Sequence, residues 1–265
     1  MTAATARHAA PVDAAPQAGP TSLRLVFDPR GSDLEAAVAC ETDVFQDRFG
    51  ETREHLDASF VGYEDASVFL ALVDGSGTAV ASARLLVPGP AGTKTAEYMA
   101  AEPWGMDAQA SMAGAGLDPA TTWDVATLSV RRRSHATGAL WTAALCHGLF
   151  QVARANGVSA TVALMDEVAR QRLAMMGIVY TTLPGASTQA FDGSPATTPV
   201  YADMQTMIDN QRRQLPDAYR LVGLGHGLDD IDLPPLAGFV LRRSVDLRAR
   251  VVVPRQVLLS GPRAS

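Results

Sequence analysis

The chain is poor in several residue types and patterns, and each shortage narrows the classes of protein to which it can belong. Its only two cysteines, Cys40 and Cys146, lie in apolar stretches, so no disulfide framework is expected and a reducing cytoplasm is the expected location. No apolar run of about 18 residues exists, so no transmembrane helix is expected. A basic excess is also missing: 22 Lys and Arg stand against 28 Asp and Glu, which argues against a nucleic-acid partner.

Several common site motifs are missing as well. The histidines and cysteines have no metal-ligand spacing, so the sequence predicts no metal site. The segment Gly223–Gly227 is rich in glycine but lacks the preceding strand and following helix that a dinucleotide site needs. No Gly-x-Ser-x-Gly nucleophile elbow is present.

What the chain does have is apolar residues, 47% of 265, enough for one large core. Residues 1–21 are rich in Ala, Pro and Thr, and we expect them to form a disordered tail. Strand and helix patterns through residues 22–214 predict a single domain. Residues 215–265 exceed it and are interpreted as an extension, with extended segments that cover a sheet edge or a pocket.

Hydrophobic periodicity predicts a mixed α/β sheet with helices on its faces. The clearest local pattern is a hairpin, in which an Asp-Gly-Ser-Gly-Thr turn separates two apolar strands. A Gly/Ala-rich connection of residues 89–122 is too long for a plain loop and is expected to contain a short helix. The predicted strands are Leu23–Phe27, Ser67–Val73, Ala79–Val87, Trp123–Val130, Val158–Leu164, Val179–Leu183 and Pro199–Met204. The predicted helices start at Ser32 or Asp33, near Ala96, at Ala139, after Asp166 and near Asp203.

The unit from Trp123 to Asn156 carries the most chemical information. A loop between a strand end and a helix start presents free backbone N–H groups and the positive end of the helix dipole, which together bind anions such as pyrophosphate. This loop also holds three arginines and several small residues; a solvated basic turn is the alternative interpretation. The candidate cofactor-binding residues are Leu128, Ser129, Val130, Arg131, Arg132, Arg133, Ser134, His135, Ala136, Thr137, Gly138 and Ala139.

From Leu23 to Met204 this arrangement resembles the GNAT superfamily of acyltransferases. In that family the strand matching Leu128–Val130 leads into an Arg/Gln-x-x-Gly-x-Gly/Ala loop that grips the pyrophosphate of coenzyme A. A later Asn-x-x-Ala helix that ends in Gly-Phe is matched by Asp166–Ala169 and Met176–Ile178. The resemblance implies a mixed, mostly antiparallel (α+β) central sheet with splayed central strands and helices on both faces.

This sequence departs from the family pattern at two functional points. Thr137 and Ala139 stand where the two loop glycines are usual, which leaves open whether the donor is acyl-CoA or an acyl-carrier protein with its phosphopantetheine arm. Leu173 replaces the Tyr that often acts as general acid. A thiolate with a thiol pKa of ~8.5 can leave without such assistance.

A closer resemblance is to the branch of autoinducer synthases and N-acyl-amino-acid synthases. Acyl-homoserine lactone synthases have Trp-Glu-x-Ser-Arg-Phe where this chain has Trp123 to Leu128. Asp124 replaces the Glu, but Ala126 and Thr127 replace the Ser and Arg, which favours a related N-acyltransferase with another acceptor. The other residues that carry the resemblance are Asp57, Tyr63–Asp65 and Ala83–Pro88.

The resemblance implies transfer of an acyl group from acyl-CoA or acyl-carrier protein to a small amine or amino acid, with no tightly bound cofactor. Aminolysis of a thioester needs a carboxylate to take the ammonium proton. Glu64 and Asp124 match acidic positions of the branch and are the catalytic candidates, while Arg84 and Trp123 are the substrate-binding candidates. The structural alternatives are an exposed loop acid for Glu64 and a partner to Arg84 or Arg131 for Asp124.

Backbone N–H groups near Leu128–Val130 are expected to stabilise the oxyanion, beside a β-bulge that splays the strand. Two other functions remain open at this point. One is a catalytically silent GNAT-fold module that binds a ligand or partner protein, and the other is an acyl-homoserine lactone synthase.

Overall fold

The computed structural model describes residues 22–132 and 135–242. The predicted tail, the candidates Arg133 and Ser134, the side chain of His135 and residues 243–265 lie outside the described residues. The strands are β1 (Leu23–Phe27), β2 (Ser67–Val73), β3 (Ala79–Leu86), β4 (Thr122–Val130), β5 (Ala160–Asp166), β6 (Thr181–Thr182), β7 (Gln189–Phe191), β8 (Ser194–Asp203) and β9 (Ile231–Asp232). The helices are α1 (Ser32–Phe49), α2 (Arg53–Ser59), α3 (Lys94–Ala100), α4 (Ala108–Gly114), α5 (His135–Asn156), α6 (Glu167–Met175), α7 (Met204–Gln214) and the short α8 (Pro216–Ala218).

The strands form one mixed sheet in the order β6-β8-β5-β4-β3-β2-β1-β9, with β7 paired to β8. The pairs β4–β5 and β1–β9 are parallel, and the other described pairs are antiparallel. Helix α5 packs on one face over the main core, and α1 packs on the opposite face over a smaller apolar cluster. The predicted mixed, mostly antiparallel sheet with helices on both faces is therefore confirmed.

Most predicted elements are present, and the differences have local reasons. The β2–β3 hairpin is confirmed, and Asp166 caps α6 by accepting the N–H groups of Val168 and Ala169. Helix α1 starts at Ser32 as predicted, but neither Ser32 nor Asp33 caps it: the N-cap is Gly31, and Asp33 accepts two hydrogen bonds from Arg24. Helix α5 begins at His135 rather than Ala139, because one glycine costs a helix only about 1 kcal/mol and does not have to mark its start.

The centre of the sheet is splayed. Strands β4 and β5 pair only from Thr122 to Asp124, opposite Ala160 to Val162. Beyond Asp124, the pairing of β4 with β3 shifts so that Ala126 is the extra residue of a β-bulge. The splayed strands are thus confirmed, but the bulge lies at Ala126, two residues before the expected segment Leu128–Val130.

Residues 215–242 lie on the same core as the rest of the fold. Their strand β9 pairs with β1 at the sheet edge, and the fully buried Phe239 lies 6.4 Å from Phe27 between ring centroids. Whether this segment is a functional extension stays a prediction. Within residues 22–132 and 135–242, no helix combines the length and the apolar character needed to cross a membrane.

Candidate functional site

A cavity of about 200 Å³ opens where β4 and β5 separate. Its walls come from the divergent strand segments and from the helices that cover them. Most of the lining is apolar, and Trp123 lies beside the half where the two strands still pair. The strand and helix residues that form this apolar wall include Trp123, Val125, Leu128, Ala163, Met165, Leu149, Phe150, Ala153, Ala169 and Leu173.

Three polar side chains among these apolar residues, Cys146, Thr161 and Tyr180, are neutral near pH 7. Burial raises the pKa of the Cys146 thiol to about 12, and it also raises the pKa of the Tyr180 hydroxyl to about 12. The Tyr180 hydroxyl and the Thr161 hydroxyl lie 3.2 Å apart and hydrogen-bond to each other. A mainly apolar lining of this kind is suited to a hydrocarbon chain.

The other end of the cavity is polar and is built from separate segments of the chain. It contains Glu51 after α1, Lys94 and Tyr98 of α3, and Asp192 in the turn between β7 and β8. The Lys94 side chain is only 8% exposed; its ammonium donates to Glu97 at 2.7 Å and lies 4.5 Å from the centroid of the Tyr98 ring. Burial, and then the charge of Asp192, raise the pKa of Glu51.

Asp124 is fully buried and binds the start of α3. Its Oδ2 accepts the backbone N–H of Thr95 at 2.7 Å, and its Oδ1 accepts the Thr95 hydroxyl at 3.0 Å. Burial is the main cause that raises the pKa of Asp124 to about 6, against the lowering effect of these hydrogen bonds. The expected structural partners Arg84 and Arg131 bind other carboxylates, so the alternative that paired Asp124 with either of them is wrong.

The other catalytic candidate, Glu64, lies in the exposed turn before β2. Its Oε2 accepts the backbone N–H of Gly62 at 2.7 Å, and the residue does not line the cavity. A catalytic role for Glu64 or for Asp124 stays a prediction.

Arg84 lies in a buried cluster beside the bulge and does not itself line the cavity, although its neighbours Phe60 and Thr127 do. Its guanidinium donates to both carboxylate oxygens of Glu41, at 3.0 and 2.5 Å, and lies over the rings of Phe60 and Phe69. The Thr127 hydroxyl donates to Glu41 at 2.6 Å and accepts the backbone N–H of Arg84 at 3.2 Å. This cluster therefore supplies the hydrogen bonds that β3 and β4 lose at the bulge. The substrate-binding roles of Arg84 and Trp123 stay predictions, and only Trp123 lines the cavity.

The candidate donor-binding residues divide into a strand part and a loop part. Leu128 lines the cavity, and Ser129 is buried opposite Ser82 of β3. Arg131 donates its backbone N–H to Val80 of β3; alternation along the strand therefore turns the amides of Leu128 and Val130 toward the splayed side.

In the loop part, the two described arginines form ion pairs with α1. Arg131 binds Asp43 at 2.6 Å, and Arg132 binds Asp47 at 3.0 Å, both at partly or fully exposed positions. Residues 136–139 lie at the start of α5, at the positive end of its helix dipole. A Cβ added to Gly138 would meet no atom within 4 Å, so the surface there is open.

The functional residues predicted from the sequence do not include Glu41, Glu51, Lys94 or Asp192. For Glu41 a signal existed, since it is a charged residue next to Cys40 in a segment that packs against the sheet. Glu51 and Asp192 carry no such signal, because acids after a helix-ending glycine or in an Asp-Gly turn are common on surfaces.

No protein-family model matches this sequence, and a comparison with curated proteins finds no match either. Solved structures with a similar backbone include FeeM, an N-acyl amino acid synthase from uncultured soil microbes (TM-score 0.55, 9% identity, 72% of this chain and 94% of that chain). They also include the acyl-homoserine lactone synthase LasI (0.52, 12%, 74% and 96%). A third is BjaI, a CoA-dependent acyl-homoserine lactone synthase with MTA (0.51, 19%, 83% and 97%).

At these identities the similarity establishes the fold. The chain therefore shares the backbone fold of these three proteins, a fold of the GNAT-like class predicted from the sequence.

Proposed function

We propose that this protein is an N-acyltransferase that moves an acyl group from a pantetheine thioester to a small amine or amino acid. The observation that carries the proposal is the cavity that opens between β4 and β5 beyond Asp124, apolar inside and polar at one end. Such a shape separates a hydrocarbon chain from a charged acceptor, as acyl transfer to an amine requires. The similarity of backbone to FeeM, LasI and BjaI supports the same reaction class.

The chemistry assigns a role to the strand amides. The amine nitrogen attacks the thioester carbonyl carbon, and a C–N bond forms. The C–S bond then breaks and the thiolate leaves, while the carboxylate base accepts the proton of the amine. The amides of Leu128 and Val130, which face the splayed side, are placed to stabilise the oxyanion, at about 3 kcal/mol for each donor. Leu173 lines the cavity and supplies no proton, so the thiolate of pKa ~8.5 leaves unassisted.

For the donor, we propose acyl-CoA or the phosphopantetheine of an acyl-carrier protein, bound at the start of α5. The positive end of the α5 helix dipole favours an anion there. Arg131 and Arg132 can exchange their exposed α1 carboxylates for phosphate at small cost, because such surface pairs contribute only about 0–1 kcal/mol.

Glu64 and Asp124 remain the proposed bases from the sequence, and the half-buried Glu51 at the polar end is a third candidate. Single replacements by Gln or Asn with the rate followed at saturating donor would separate them. The cytoplasmic location that two unpaired cysteines favour also stays a prediction.

The test is calorimetric titration with coenzyme A and with acyl-CoA of two to twelve carbons, followed by a thiol-release assay with a panel of amines. We expect tighter binding of the longer chains and amine-dependent release of free thiol. Binding without thiol release would favour the catalytically silent module, and lactone release from S-adenosylmethionine would favour the lactone synthase. No binding of any thioester would reject the proposal.

A further inference from the structure

The polar end of the cavity brings together two carboxylates from distant parts of the chain. Glu51 follows α1, and Asp192 lies in the β7–β8 turn, whose backbone packs so closely on α1 that a Cβ on Gly193 would lie 2.4 Å from the carbonyl oxygen of Phe49. The two charges are close enough to interact. Among the described residues, neither carboxylate has a hydrogen-bond or ion-pair partner.

Carboxylates outnumber cations in the cavity lining, where the charge of Lys94 also acts on Asp192. Lys94 binds Glu97, which also accepts the hydroxyl of Tyr63 at 2.8 Å. His55 interacts electrostatically with both Glu51 and Asp192 but forms no ion pair with either of them. The local charge is therefore negative, which favours a cation and opposes an additional carboxylate.

An uncharged polar group completes this end of the cavity. Thr197 of β8 is only 5% exposed and lines the cavity, opposite Gln189 and Asp166 in the sheet. The hydroxyl of the next residue, Thr198, bonds to Thr188, whereas that of Thr197 has no partner among the described residues. Because Thr197 lines the cavity, this hydroxyl is open to a hydrogen bond with a polar group of a ligand.

Aromatic rings line the same end. Phe49, Tyr98 and Phe191 face the cavity, and the Tyr98 and Phe191 rings pack edge to face at 4.9 Å between centroids. Aromatic faces attract cations and also cover the organic part of an amine. Together with two unpaired carboxylates they form a site for an ammonium group on an apolar body.

We infer that the acceptor is a cationic amine without a carboxylate, such as an arylalkylamine or a diamine, whose ammonium binds between Glu51 and Asp192. This inference rests on the proposed function and narrows its acceptor class from amines and amino acids to amines. The Thr197 hydroxyl forms a hydrogen bond with the same ligand, as donor or as acceptor. An α-amino acid is disfavoured because its carboxylate would enter a part of the cavity where carboxylates already outnumber cations.

The experiment compares acceptors that differ only by a carboxylate: phenethylamine against phenylalanine, and putrescine against ornithine, each with decanoyl-CoA and with S-decanoyl-pantetheine. Amide products are measured by mass spectrometry. The amines should react at least roughly tenfold faster, the size of one charge-assisted contact. Glu51→Gln and Asp192→Asn should each lower the amine-to-amino-acid ratio by a similar factor, and Asn tolerates the positive φ of 40° at position 192.

Glu35→Gln, at an exposed position of α1, makes the same charge change elsewhere and should leave the ratio unaltered. Amino acids that react as fast as amines, or a ratio unaffected by both cavity variants, would overturn the inference while the proposed function stands. If no thioester is consumed, the proposed function fails, and calorimetric titration of phenethylamine alone then decides: binding that is weakened in Glu51→Gln supports the amine site, and no binding overturns it.

Discussion

Strand β4 has two halves that differ in what holds them. From Thr122 to Asp124 it is paired with β5, Asp124 is also paired with β3, and the Asp124 carboxylate binds the start of α3. From the bulge at Ala126 onward it is paired only with β3, and the Glu41–Arg84–Thr127 cluster stabilises the altered register. The cavity therefore arises because the backbones of β4 and β5 separate. Buried polar side chains hold β4 on each side of that point: Asp124 before it and the Glu41–Arg84–Thr127 cluster after it.

The largest effect is expected from breaking the cluster beside the open half. Glu41→Ala leaves the Arg84 guanidinium buried without its carboxylate, which should lower the free energy of unfolding by about 3–5 kcal/mol. Urea denaturation measures this loss. Asp47→Ala removes the exposed pair with Arg132 and should cost less than ~1 kcal/mol. Similar losses for the two variants would mean that the bulge does not depend on the buried pair.

The closed half should show an intermediate effect that depends on pH. The pKa of Asp124 is raised to about 6 in the folded protein, so its contribution to stability is present below the unfolded pKa near 4 and is lost as pH rises through 6. Relative to Asp124→Asn, the wild type should therefore lose roughly 2–3 kcal/mol between pH 4 and pH 7. Denaturation curves of both proteins across this range test the sign. A difference in unfolding free energy that stays constant with pH would contradict a raised pKa for the buried Asp124 carboxyl.

The smallest effect concerns the helix that follows the open half. Ala136→Glu, at an exposed position in the first turn of α5, should stabilise the helix by about 0.3–1 kcal/mol through the dipole. The same charge should repel a donor phosphate and weaken coenzyme A binding roughly tenfold if the pyrophosphate lies there. The melting temperature should rise, and calorimetric titration should show weaker binding of coenzyme A. Equal affinity in variant and wild type would place the donor phosphates elsewhere.

Elements that depend on local sequence patterns could be predicted from the sequence. Alternating apolar residues predicted the β2–β3 hairpin, and the run from Trp123 to Val130 predicted β4. The acid at 166 predicted the cap of α6. The splay itself followed only from the family resemblance, because no residue of β4 or β5 marks where their backbone pairing ends.

The polar end of the cavity could not be predicted, since it exists only through tertiary contacts. Glu51 and Asp192 are 141 positions apart and meet because the β7–β8 turn packs on the end of α1. Arg84 was expected to contact substrate, but its partner Glu41 comes from a helix on one face of the sheet. The spacing of residues along the chain does not show which distant charges meet, so neither contact could be predicted from the sequence.

The most direct test of the account is calorimetric titration of S-decanoyl-pantetheine, the arm shared by acyl-CoA and acyl-carrier protein, into the wild type and two filled-cavity variants. Ala163→Phe narrows the β5 wall, and Ala169→Leu narrows the half-buried α6 wall with less strain on the core. The account predicts saturable binding to the wild type and at least tenfold weaker binding to each variant that keeps its helical circular dichroism. Equal binding by wild type and folded variants, or no binding to the wild type, would contradict an acyl site between β4 and β5.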